Sequence, residues 1–384
     1  MRIALITETF LPDVNGVVTT LCRLLEHLQR RNHAALLFAP YDAPESYAGA
    51  EVVRLRGWPL PLYPGLKLTP PQPRIFEGLR RFRPDIVHLA GPVMLGPAAV
   101  AAGMRVGAPL LGVYHTDWPA YASYYGLGTL RSLAYAYLRR VHNACAATLC
   151  PSSATLADLR AHGFRRLRVW GRGVDTDRFH PARRSAVWRA SVGARPGERL
   201  ILYAGRLAAE KRLDLLAVLA SLPATRLVIV GDGPARAGLE RELAGAPATF
   251  TGFLQGDDLA TAYASADLFV FPSATETFGQ VIQEAMASGL PVVAARAGGA
   301  LDLIREGETG LFFAPGSPAD LRAAARELLD APERRAAMGR AARAAAERRT
   351  WSHVLDALLE HYTRVIRPHV RARARARLVG AVGR

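Results

Sequence analysis

An α/β fold built from two doubly wound parallel sheets is predicted for this chain of 384 residues by three observations. Short runs of aliphatic and β-branched residues alternate with longer segments of helical period, as in parallel strands joined by helices. The runs fall into two series, each opening with a strand and a glycine-containing loop. The length suits two domains better than one hydrophobic core.

The first series of strands is expected at residues 2–7, 34–39, 85–89, 109–114 and 147–150, the second at 200–204, 226–230, 267–271 and 291–295. Their near-continuous apolar character fits sheets covered on both faces. The stretch 175–199 has Pro181 and Pro196 and no strong strand period, so it reads as a linker between domains 1–180 and 190–350. Residues 319–349 are Ala- and Arg-rich and helical. A further helix is expected at 352–366, closed by Pro368, and the Arg-Ala repeat at 371–377 lies in a frayed basic tail, 367–384. In open α/β sheets ligands bind beyond the carboxyl ends of the strands, so two such domains facing each other would share a cleft.

Composition excludes several classes. Half of the residues are hydrophobic and 21% are charged, which excludes general disorder. The most apolar stretch, 98–113, is broken by Arg105 and by Gly and Pro, so no transmembrane helix is expected. The opening residues read as a buried strand rather than a signal peptide. Cys22, Cys145 and Cys150 lack metal or redox spacing and fit a reduced, cytoplasmic chain.

The net charge is +16, which suggests an anionic partner: nucleic acid, an anionic membrane or phosphorylated small molecules. Residues 1–180 carry 21 basic and 12 acidic residues, residues 181–360 carry 21 of each, and residues 361–384 carry seven Arg and no acid. Nucleic acid is disfavoured, because neither an aromatic-basic single-strand motif nor a helix-turn-helix signal is present. Ile75, Phe76, Leu79 and Phe82 fall at helical spacing beside Arg74, Arg80, Arg81 and Arg83. That segment reads either as a helix lying in a membrane interface or as an ordinary helix packed on the first sheet.

The most informative motif is the stretch 271–289, a strand end, a short loop with Glu276, and a helix carrying Glu284 and closed by Gly289. The helix is expected to start near Phe278 or Gly279, so the amides of residues 278–280 are free donors suited to a diphosphate or sugar hydroxyls. Eight residues of helix span about 12 Å, wider than the roughly 5–9.5 Å of glycosidase carboxylate pairs. Glu276 and Glu284 therefore suit recognition of two parts of one long ligand, the alternative being solvated glutamates. After the first strand of the second domain come Gly205, Arg206 and Lys211, a planar fork and a point charge able to neutralise a leaving diphosphate.

Other loops at strand ends are weaker signals. Asn15-Gly16 is a turn dipeptide permitting positive φ and close backbone approach to a phosphate. His115 and Asp117 follow a first-domain strand, where an imidazole could bind a sugar hydroxyl or instead be structural. Gly231 and Asp232, in Val230-Gly-Asp-Gly-Pro234, have the residues to shape a base pocket, and the loops 251–254 and 297–299 occupy equivalent positions. Asp175 and Asp177 read as turn chemistry rather than a metal site. No dinucleotide or P-loop glycine motif is present.

Taken together, Gly205-Arg206 with Lys211, Val230-Gly-Asp-Gly-Pro234, and Glu276 with Glu284 resemble the retaining glycosyltransferases of family 4, which have the GT-B fold. The resemblance covers nearly the whole chain and its motifs are specific in combination. It implies two Rossmann-like domains facing a central cleft, a nucleotide-sugar donor held by the second, an acceptor held mainly by the first, and retention of configuration without metal or other cofactor. It further implies that Glu276 contacts hydroxyls of the transferred sugar, Glu284 the ribose, and Arg206 and Lys211 the diphosphate. Gly16 would approach the diphosphate from the opposite domain, His115 the reacting centre, and Leu254 the base. Residues 278–280 would offer backbone contacts, and the helix at 352–366 would return to the first domain.

The stretches 12–17, 114–126 and 171–181 resemble GDP-mannose-dependent α-mannosyltransferases, several of which act on glycolipids at the cytoplasmic face of the membrane. Asn15 stands where many family members have the first Gly of a Gly-Gly pair. Sulfolipid-type relatives share much of the pattern but use UDP-sugars, which leaves a UDP donor as the alternative. A nucleotide-sugar epimerase of similar fold is disfavoured by the Arg206/Lys211 and Glu276/Glu284 pattern.

Overall fold

The computed structural model describes residues 1–60, 63–115 and 131–382, with side chains except at 59–60, 63–66, 68 and 371–382. The chain forms two compact units, Met1–Gly171 with Val354–Arg384, and Arg172–His353. The boundary thus lies ahead of the expected linker, and residues 175–199 belong to the second unit. They are held there by Phe179 and Val192, buried in its core, and by polar contacts that carry no hydrophobic pattern in the sequence. One Arg343 Nη1 donates to the carbonyls of Thr176, Phe179 and Ala287 at 3.0, 2.8 and 2.6 Å. Arg184 and Arg189 both pair with Asp267, at 2.7 and 2.9 Å.

In the first unit the strands are β1 (Arg2–Ile6), β2 (Ala34–Pro40), β3 (Ser46–Tyr47), β4 (Ala50–Leu55), the hairpin β5 (Trp58–Leu60) and β6 (Tyr63–Leu68), β7 (Ile86–Leu89), β8 (Leu110–Val113), β9 (Ala147–Cys150) and β10 (Leu167–Val169). The main sheet has the order β10-β9-β8-β7-β1-β2-β4-β3, parallel except for β3. The chain starts at β1, builds outward through β2, and then crosses to β7, so the order reverses between β1 and β7. Helix α1 (Gly16–Arg30) makes the first crossover, α2 (Pro73–Phe82) leads into β7, and α3 (Gly96–Val106) follows it.

Ile75 and Leu79 of α2 are at most 1% exposed, in a core with Ile6, Phe38 and Leu89. The apolar stripe of this helix is thus committed to the sheet, which removes the interfacial-helix reading. Arg74, Arg80, Arg81 and Arg83 stay exposed, and Arg81 pairs with Glu51.

The second unit holds β11 (Arg199–Ala204), β12 (Thr225–Val230), β13 (Ala248–Gly252), β14 (Leu268–Phe271), β15 (Val292–Ala295) and β16 (Gly310–Phe313) in the order β13-β12-β11-β14-β15-β16, all parallel. This is the Rossmann order, with its switch point between β11 and β14. Successive β11 residues feed opposite cores, Leu200, Leu202 and Ala204 on one face and Ile201 and Tyr203 on the other. That two-sided burial is why the strand reads as a continuous apolar run.

Helix α4 (Gln280–Ala287) joins β14 to β15. The expected helix at 319–349 is two helices, α5 (Pro318–Asp330) and α6 (Pro332–Glu347), because Pro332 has no N–H to continue the first and instead opens the second.

Helix α7 (Trp351–Val382) runs through Pro368 rather than ending there, and the Arg-Ala repeat is helical rather than frayed. Alanine and arginine are strong helix formers, and they offset the one hydrogen bond that proline removes. The helix is tied to the first unit from Val354 to His369. Trp170 Nε1 donates to the Val354 carbonyl (3.0 Å), His27 meets Asp356 (2.9 Å), and His369 bonds the Gly107 carbonyl (2.8 Å). Between them, His88 Nδ1 lies 2.6 Å from the Tyr362 hydroxyl, both residues at most 1% exposed. Burial drives the His88 pKa down to about 3, so the ring is neutral and a single hydrogen bond joins it to the Tyr362 hydroxyl.

Counted by unit, the first carries 26 basic and 12 acidic residues and the second 23 and 21, so +14 of the +16 lies on the first. No helix among the described residues is long and apolar enough to cross a membrane.

Tyr362→Phe leaves a buried imidazole nitrogen without its hydrogen-bond partner. Urea unfolding is expected to show a loss of about 1–3 kcal/mol, the same at pH 6 and pH 8 because His88 stays neutral across that range.

Candidate active site

The loops after β11 and β14 meet at the switch point of the second sheet. The first runs from Gly205 to a short 3₁₀ turn at Ala209–Lys211, the second from residue 272 to Gly279. Lys211 Nζ donates to Glu276 Oε2 at 2.7 Å, joining the two loops by an ion pair whose side chains are 16% and 25% exposed. Burial pushes the Glu276 carboxyl up. Lys211, the charge of Arg172 and the Phe278 N–H outweigh it and hold the group below the usual carboxylate range. Arg206 is half-exposed and pairs with Glu210 one turn on. The two cations expected at this turn are therefore both present, each already facing a carboxylate.

Backbone geometry fixes these loops. Gly205 N–H donates to Val230 O (3.0 Å), Leu207 N–H to Asp232 O (2.9 Å), and Gly231 N–H to Gly252 O (2.8 Å), tying the ends of β11, β12 and β13 together. Gly231 has φ +129° and a Cβ there would lie 1.9 Å from the Gly205 carbonyl oxygen. The Glu276 loop rests on residues 297–299, where a Cβ on Gly299 would lie 2.2 Å from Phe278 O. Asp232 serves its own loop, accepting from Gly233 N–H (2.7 Å) and Arg236 (3.0 Å). Leu254 is partly buried against the core under β11 and β12.

Gly279, with φ +96°, is the N-cap of α4, which therefore starts at Gln280. Phe278 is 3% exposed in the core, so only its backbone is available to a ligand. Gln280 Nε2 donates to Gly173 O at 3.1 Å. Glu284 accepts from the Tyr263 hydroxyl at 3.2 Å. No cation offsets its burial, which pushes its pKa up to about 7 even though Tyr263 and Gln280 pull it back. Tyr263, Glu210 and Arg172 were not singled out from the sequence. Arg172 lies in the stretch 171–181 quoted for the resemblance, whereas Tyr263 sits in a helix with no local signal.

In the first unit Asn15 and Gly16 do not form the expected positive-φ turn. Asn15 is extended, at φ −156°, and its Oδ1 caps α1 by accepting from the Val17 and Val18 amides, while Gly16 is the first helical residue. An asparagine there satisfies orphan amides, which wins over turn formation. His115 is 8% exposed, two residues past β8, with its ring edge-on to Trp170 at 6.5 Å. Asp117 lies outside the described residues. Among the described residues no group of three or more His, Cys, Asp and Glu side chains is placed to hold a metal ion.

Two outcomes follow from the opposite environments of the glutamates. In Lys211→Met the acid limb of any Glu276-dependent pH–rate profile is expected to move to higher pH, since burial is then opposed only by Arg172 and the Phe278 N–H. The native state keeps a proton on Glu284 up to about pH 7, whereas the unfolded chain releases it near 4.3. Stability is therefore lost as pH rises through that window, and the glutamine variant escapes the loss. Thermal unfolding is expected to find Glu284→Gln more stable than the parent by about 1–3 kcal/mol at pH 8 and little changed at pH 4.5.

Comparison with known proteins agrees with this geometry. The family model for glycosyl transferases group 1 matches residues 185–345, and that for glycosyltransferase family 4 matches residues 14–178. A GDP-mannose-dependent alpha-mannosyltransferase of Corynebacterium glutamicum is 42% identical over 95% of this chain and 89% of its own length. The sulfoquinovosyl transferase SQD2 of Arabidopsis thaliana is 39% identical over 91% of this chain and 71% of its own. The crystal structure of Anabaena Alr3699/HepE in complex with UDP superposes with a TM-score of 0.79 at 20% identity, covering 94% of this chain and 100% of that one, a likeness of fold. With such identity across nearly the whole chain, and two Rossmann-like sheets of this topology, the protein belongs to the family 4 glycosyltransferases of GT-B fold.

Proposed function

We propose that this glycosyltransferase moves α-mannose from GDP-mannose, with retention of configuration, to a lipid or glycolipid acceptor at an anionic membrane surface. The observation that carries the reading is the Lys211–Glu276 pair at the switch point of the second sheet, 2.7 Å apart, in a chain 42% identical to a GDP-mannose-dependent enzyme. In this reading Glu276 accepts hydrogen bonds from the hydroxyls of the transferred sugar. Lys211 and Arg206 turn to the diphosphate, and their charge offsets what develops on it as the glycosidic bond breaks. The reading needs no metal for this.

Glu284, whose carboxylate faces a phenol rather than a cation, takes the ribose hydroxyls. Gly205, Gly231 and Asp232 shape the loops around the nucleotide, with Leu254 beside the base and the backbone of residues 278–280 at the sugar or diphosphate. In the first unit Asn15 and Gly16 serve the phosphates, and His115 and Asp117 the transferred sugar. The acceptor oxygen attacks on the face from which the diphosphate leaves. A UDP-sugar donor is the second reading, favoured by the 39% identity to the sulfoquinovosyl transferase.

Membrane attachment in this reading is electrostatic. The exposed Arg side chains of α2 and the +14 of the first unit attract anionic lipid. The apolar side of α2 takes no part.

Incubation of the enzyme with GDP-mannose and membrane lipid extract is expected to yield a mannosylated lipid, and Glu276→Ala to lower its rate by about a thousandfold or more. Turnover of UDP-sugars with none of GDP-mannose would reject the donor. The protein is expected to float with anionic vesicles at low salt and to be released at about 0.5 M salt. A failure to bind at low salt removes the surface from the proposal.

A further inference from the structure

The first unit contains a buried lysine that neither the motifs nor the proposed chemistry uses. Lys67, on β6, has a side chain 6% exposed. Its ammonium is 3.0 Å from both Asp13 carboxylate oxygens and 2.6 Å from Asp42 Oδ2. The contacts continue toward α1. Thr9 Oγ1 donates to Asp13 Oδ2 at 3.0 Å and accepts from Asn15 Nδ2 at 2.9 Å. With its Nδ2 held, Asn15 presents Oδ1 to the Val17 and Val18 amides, both at 3.0 Å.

We propose that Lys67 is a positioning residue, which through Asp13 and Thr9 holds the loop between β1 and α1 and the capped first turn of α1 in one geometry for the substrate. The proposal rests on the reading above, in which Asn15 and Gly16 serve the phosphates.

An ammonium withdrawn from water is retained only when it is paired and hydrogen-bonded, and a buried ion group of this kind is a poor source of stability compared with packed apolar side chains. What such a group supplies is direction. Each contact is charge-assisted and distance-sensitive, and together they span β6, the end of β1 and the residues after β2. Burial pulls the Lys67 ammonium down, but Asp42 and Asp13 outweigh it and keep it charged. Thr9 has one proton, spent on Asp13, so it accepts from Asn15. That order of donation leaves Asn15 only one orientation in which both ends of its amide are satisfied.

Two variants separate positioning from mere support of the fold. Lys67→Met strands two carboxylates, whereas Lys67→Met/Asp13→Asn/Asp42→Asn removes the charges together and is expected to melt within a few degrees of the parent. Both are expected to lower kcat by about tenfold or more while the donor KM changes less than about threefold, since most donor contacts are assigned to the second unit. In hydrogen exchange both are expected to raise exchange at the amides of residues 16–18 by about tenfold, with residues 21–28 unchanged. Parental kcat in the folded triple variant, or unchanged exchange at residues 16–18, overturns the proposal. If the parent itself turns over neither GDP-mannose nor a UDP-sugar, the functional reading fails, and the exchange measurement still decides the role of Lys67.

Discussion

The ion pair between Lys211 and Glu276 is the interaction on which the arrangement of the second unit's site depends. It joins loops that leave adjacent strands at the switch point, β11 and β14. A carboxylate so placed would take up a proton if burial acted alone, and a protonated group turns one of its acceptor sites into a donor. The lysine reverses that tendency, and the tight glycines are what let it do so. Gly231 and Gly299 leave no room for a side chain, so the backbones close on one another and carry the two charges to hydrogen-bond distance.

Eight residues further on, Glu284 meets the opposite environment. Its partners are a phenol and an amide, both neutral, and its proton is held up to about pH 7. Two carboxylates of one loop-helix segment thus have different charge states over part of the physiological range. The difference arises from which side chains the sheet brings to each, because Lys211 is contributed by the loop after β11 and Tyr263 by the helix before β14. Such a split suits one ligand with two chemically distinct ends.

The first unit solves a related problem with the signs exchanged. Lys67 is the buried cation, and Asp13 and Asp42 are its supports. Here the polar network ends at a helix cap instead of at a titrating carboxylate. Its consequence is geometric, which accords with a unit whose long-range charge, +14, is carried by surface arginines.

Much of this was legible beforehand. The strands flanking the site are buried on both faces, so their apolar runs announced them, and Arg206, Lys211 and Glu276 stood in loops after strand ends where α/β sheets bind ligands, with Glu284 in the helix that follows. The hairpin β5–β6, rich in proline, gave no such run, and with it Lys67 escaped notice. The apolar stripe of α2 fitted a membrane as well as it fitted a core, since periodicity records that a face is covered and not what covers it. Pro368 looked like a stop, yet its neighbours' helix propensity carried α7 through. The order and type of the central elements of both sheets, and the residue types at the loops, were therefore determined by the sequence alone, because local propensity and hydrophobic period are properties of neighbouring residues. Which carboxylate is ionised, which cation it faces, and which lysine holds a loop 54 residues away were decided only by tertiary structure. Those depend on burial and on distances between strands far apart in the chain.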